Sequence, residues 1–120
     1  MDVSSVNKRP DVLLLCVDDM NDWAGCLQGY PGVQTPHIDR LAASGTLFTN
    51  AHCPSPLCNP SRTAILTGLA PYNSGVYNNS HWWRPAYPGL VSLPARFKTA
   101  GYHVAGAGKI FHHTDGFNPP

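Results

Sequence analysis

Cys58 and Arg62 stand four residues apart in "CNPSRTAILTG", residues 58–68, where a thiol precedes what reads as the start of a helix. The unpaired N–H groups and positive dipole end of a helix start favour an anion. Arg62 lies one turn further along the same face, so its planar fork can reach an oxyanion held at residue 58. Pro60 fixes the turn and has no N–H to leave unpaired. A nucleophile at a helix start beside an arginine suits attack that builds up negative oxygen. The same residues also describe a buried cysteine beside a structural arginine, and spacing alone leaves both readings open.

Further candidates are spread along the chain. Asp18 and Asp19 close the apolar run "DVLLLCV" (11–17), at the carboxyl end of an expected strand, where open α/β sheets place ligands. A lone aspartate there reads as a solvated strand end; two acids after an apolar run point to a metal. Neighbouring strand residues face opposite ways, so both carboxylates reach one cation only if the chain ends or bends there. Lys109 follows three small residues and could approach an anionic oxygen, though alone it reads as a solvated surface lysine. His112 and His113 follow as adjacent imidazoles, a side-chain type able to exchange protons near neutral pH. Trp82 and Trp83, beside His81 and Arg84, read either as a sugar-binding wall or as an exposed loop cluster that anchors to the missing rest of the domain. Asn78-Asn79-Ser80 is a glycosylation sequon. A zinc site can be drawn from His52, Cys53, Cys58, His112 and His113, but Cys-x4-Cys is a loose zinc spacing and no second cysteine pair follows.

The elements that must position these groups alternate. After the 11–17 strand, "TPHIDRLAASG" has Thr35 as N-cap, Pro36 at the first helical position and Gly45 as stop, with Ile38, Leu41 and Ala42 on one face. "TLFTNA" (46–51) is β-branched and aromatic, hence extended. Asn59-Pro60 opens a second helix closed by Gly68. Residues 69–90 read as loop, Ser92 caps a third helix, and "YHVAGAG" (102–108) returns as a strand. This order predicts an α/β fold, a mostly parallel sheet flanked by helices. The strands are apolar on both faces and three helices are too few to cover them, so the sheet reads as unfinished.

At 120 residues the chain makes one modest domain at most. Residues 1–8 read as a disordered tail and 9–120 as the N-terminal part of a larger domain. Eight Lys/Arg face seven Asp with no Glu, and no basic stripe appears, so neither nucleic acid nor an anionic membrane is favoured as partner. No run is long enough to span a bilayer. "MDVSSVNKRP" lacks the apolar stretch of a secretory signal. Read literally, that places the chain in the cytoplasm; a start placed too far downstream would hide a leader and make it periplasmic or secreted. Four cysteines allow two disulfides, but Cys16 sits in the apolar run, where a free buried thiol is commoner.

These motifs together resemble the sulfatase family. "CNPSRTAILTG" is similar to its signature C-x-P-S-R followed by T-x-x-L-T-G. "RPDVLLLCVDDM" looks like the family's first strand with its metal-binding aspartates, and "TPHIDRLAASGTLFTNAHC" like the helix and strand after it. "GYHVAGAGKIFHH" looks like the later Gly-Lys segment. The resemblance covers Arg9 to His112, and Lys-x-x-His with "NNSHWWRP" is closest to the iduronate-2-sulfatase-like branch. It implies an alkaline-phosphatase-like fold and a sulfuric ester hydrolase.

The resemblance also implies roles. Cys58 becomes formylglycine, installed by a formylglycine-generating or anaerobic sulfatase-maturing enzyme. Asp18, Asp19 and an oxygen at residue 58 hold Ca²⁺, with Mg²⁺ as the alternative; such an ion wants six to eight oxygens, so further ligands are needed. One hydroxyl of the hydrated aldehyde attacks sulfur while the metal, Arg62 and Lys109 stabilise the oxygens. His112 deprotonates the second hydroxyl, and sulfate is expelled. The substrate is a sulfated small molecule or carbohydrate, bound partly through Lys109 and His112. Close relatives with the same motif hydrolyse phosphate or phosphonate esters. Two rival readings remain: a catalytically inactive fragment, and a small zinc-binding module.

Overall fold

Among the described residues, proline at or near the first helical position starts three of the four α-helices, because its fixed φ suits a first turn whose N–H groups lack helical partners. A computed structural model describes residues 9–112; the expected 1–8 tail and His113 lie outside the described residues. The chain divides into two units, residues 1–50 and 51–120.

In the first unit, a 3₁₀ turn over Gly25–Leu27 is followed by α1, Pro36–Ser44. Thr35 takes the N-cap position as expected, but its hydroxyl makes no cap bond to the helix backbone. It accepts the Gly25 N–H at 2.8 Å and donates to Asp39 Oδ1 at 3.0 Å. That carboxylate also accepts the Cys26 N–H at 2.8 Å, so α1 and the 3₁₀ turn are held together by one aspartate. The apolar face expected on α1 is not covered: Leu41 is 71% exposed.

In the second unit, α2 spans Cys58–Thr67, α3 Pro71–Ser74 and α4 Leu93–Thr99, and α2 packs against both of the others. Gly68 closes α2 in the left-handed conformation, φ 75°, its N–H bonded to the Ala64 carbonyl. The one-turn α3 lies within the stretch that reads as loop. Among the described residues of this unit, Leu66, Val76, Trp83, Pro60 and Pro71 are buried apolar side chains, joined by Asn59, Thr63, Ser74 and Ser92. A core this polar holds only if its polar groups find partners.

Among the described residues there is no strand. The 11–17 run has no regular structure, with Leu13 87% and Leu15 78% exposed. Cys16, expected to be buried, is exposed with it, and all four thiols are free. An extended segment needs a partner for its backbone groups before it counts as a strand. No described helix is long and apolar enough to cross a membrane.

Candidate active site

Cys58 is the first residue of α2 and Arg62 follows one turn later on the same helix, as the spacing predicts. Both side chains are half-buried. Arg62 also does something the spacing does not reveal: its Nη1 donates to the Lys109 carbonyl at 2.5 Å, across 47 residues of sequence. Its Nε is shielded from solvent. One arm of the guanidinium therefore fixes the backbone of the Gly-Lys segment beside the helix that carries Cys58.

A second anchor holds that segment. Phe111 stacks edge-on against Trp82 at 6.1 Å and lies 6.2 Å from Trp83, while the two tryptophan rings are 5.6 Å apart. Trp83 is 1% exposed and carries the Arg84 guanidinium 5.3 Å above its ring. Trp83 is therefore packed within this unit, neither a wall open to a sugar nor an exposed loop residue. Between the anchors, Gly108 takes φ 76°, a conformation costly for any residue with a Cβ. Lys109 follows exposed; His112 is half-buried with Nδ1 shielded from solvent.

The aspartate pair belongs to the first unit. Residues 18 and 19 form a turn, and Asp19 adopts φ 54°. The apolar run therefore ends in the bend that two adjacent carboxylates need if both are to face one cation. Carboxylate oxygens suit a hard divalent ion, so the pair fits as part of a calcium shell. Among the described residues, no three His, Cys, Asp or Glu side chains form a metal cluster, so His52, Cys53, Cys58 and His112 of the drawn zinc set do not gather; His113 lies outside the described residues.

Sequence reasoning missed Asn59. It is 1% exposed, and its Nδ2 donates to the carbonyls of Asn78 at 2.9 Å and His81 at 2.5 Å. An asparagine between a cysteine and a proline carries no periodic signal, so nothing local marks it. Phe111 was equally hidden, because its partners lie 28 and 29 residues away at Trp83 and Trp82.

The second unit thus brings together a helix-borne cysteine, an arginine one turn on and a glycine-lysine segment tied to that arginine. The chain belongs to the sulfatase family, whose pattern matches residues 10–117. It is 44% identical over 111 residues to a sulfatase of Formosa agariphila, covering 88% of this chain and 22% of that protein. Human iduronate 2-sulfatase is 38% identical over 118 residues, with 93% and 21% covered. Human N-acetylgalactosamine-6-sulfatase is 39% identical over 132 residues, with 99% and 25% covered. The chain thus spans about a fifth to a quarter of the length of these curated relatives. No solved structure matches at a significant level.

Proposed function

We propose that this chain supplies the nucleophile-bearing part of a sulfuric ester hydrolase acting on a sulfated small molecule or carbohydrate. The observation that carries the reading is the Arg62–Lys109 bond, which joins the C-x-P-S-R and G-K-x-x-H motifs in one place. Formylglycine made from Cys58 would supply, once hydrated, two hydroxyls on one carbon: one to attack, one to release the product. Calcium, for which the adjacent carboxylates of Asp18 and Asp19 are candidate ligands, would supply positive charge for the sulfate oxygens.

The chain's own residues do the rest. Arg62 holds the Lys109 backbone and brings positive charge one turn from residue 58. Lys109 offers its ammonium to a sulfate oxygen, pre-aimed by the left-handed turn at Gly108. His112, steadied by its neighbour Phe111, takes the proton of the second hydroxyl. The proposed fold of the whole domain is α/β, with 11–17, 46–51 and 102–108 as strands; their apolar and β-branched content supports it.

The test is intact mass after co-expression with a formylglycine-generating enzyme. Residue 58 should lose one sulfur and two hydrogens and gain one oxygen, and Cys58→Ala should show no such change. An unaltered thiol at residue 58 would overturn the reading.

A further inference from the structure

Leu57, at the N-cap of α2, has no side-chain oxygen to cap the helix, and no side-chain cap comes from it. The cap comes instead from a distant loop. Asn79 Oδ1 accepts the N–H of Asn59 at 3.1 Å. Pro60, next in line, has no N–H to satisfy.

Asn59 returns the contact. Its two Nδ2 hydrogens go to the Asn78 and His81 carbonyls, and its Oδ1 lies 3.4 Å from the Thr63 hydroxyl one turn on. A short stem bearing two donors and an acceptor is found in asparagine alone. The loop is braced from within as well. Asn78 Oδ1 accepts the Ser80 N–H and hydroxyl at 3.0 and 2.7 Å, and His81 Nδ1 accepts the Tyr77 N–H at 3.2 Å.

We propose that Asn59 is a positioning residue that fixes residue 58 and the 78–81 loop as one wall of the site, so that this loop borders whatever is bound at residue 58. The proposal rests on residue 58 being the reacting position, but its test needs neither formylglycine nor hydrolysis. Either can therefore fail without the other.

The experiment uses the full chain with Cys16, Cys26 and Cys53 replaced by serine and a benzophenone maleimide on Cys58. After irradiation, cross-links should concentrate in residues 77–84. Asn59→Ala should cut their share about threefold, because the loop is released from the helix start. Asn79→Ala should lower the hydrogen-exchange protection of the Asn59 amide about tenfold, and Asn79→Asp, which keeps an acceptor oxygen, should restore it. Amides at the far end of α2, such as that of Leu66, should not change in the Asn79 pair, which separates a local tie from general loosening. If Asn59→Ala does not fold, the Asn79→Ala and Asn79→Asp comparison decides alone. Cross-links absent from 77–84, or an Asn59 amide indifferent to Asn79→Ala, would sink the proposal.

Discussion

Arg62 divides its guanidinium between the chain and the site. One nitrogen is committed to the Lys109 carbonyl, so the residue works as a brace before it works as a charge. Lysine at this position keeps the charge but loses the planar fork. Arg62→Lys should therefore lower unfolding free energy by about 1–2 kcal/mol in urea titration, the worth of a charge-assisted hydrogen bond. An unchanged midpoint would show that the bond contributes nothing. Gly108 makes a second prediction at this scale. Its φ of 76° is unfavourable for any residue with a Cβ, even though the space beside it is open, so Gly108→Ala should cost about 1–2 kcal/mol in the same titration. A stabilised Gly108→Ala chain, as expected where an alanine fits the backbone, would show that the left-handed turn is not adopted.

Helices are the elements that the residues announce. Thr35-Pro36, Ser92 before Leu93-Pro94 and the Gly68 stop are short-range signals, and α1, α2 and α4 form where those signals stand. The i, i+4 relation of Cys58 to Arg62 was legible for the same reason. What joins elements was not legible. The Arg62–Lys109 and Asn59–His81 bonds span 47 and 22 residues, and no periodicity encodes such distances. The same limit applies to Asp39, which reads as an ordinary first-turn acid favoured by the helix dipole. In the structure it gathers the Thr35 hydroxyl and the Cys26 amide. Asp39→Ala should cost about 1–3 kcal/mol, since it leaves part-buried donors without their acceptor. The amide of Cys26 should then lose exchange protection while those in α2 keep theirs; equal loss in both would refute a role confined to this element.

At the scale of the whole molecule, the apolar run that opens the chain decides how the fold expectation stands. Five of its residues, Val12, Leu13, Leu14, Leu15 and Val17, are each at least 58% exposed. A run this apolar gains little in water, whereas burying each leucine in a sheet would gain about 1.5–3 kcal/mol. The two situations predict opposite responses to a charge. In this chain Leu13→Asp should change unfolding free energy by no more than about 0.5 kcal/mol, because the side chain is largely exposed. It should also reduce the binding of a hydrophobic dye, since it breaks the exposed patch. The same change in a chain carrying the rest of a sulfatase domain should cost several kcal/mol if 11–17 is a buried strand there, because a carboxylate would enter an apolar layer. A large cost in the short chain would show that the run is already packed. A negligible cost in the long one would remove the strand from the proposed sheet, and with it the reason for Asp18 and Asp19 to stand at a strand's carboxyl end.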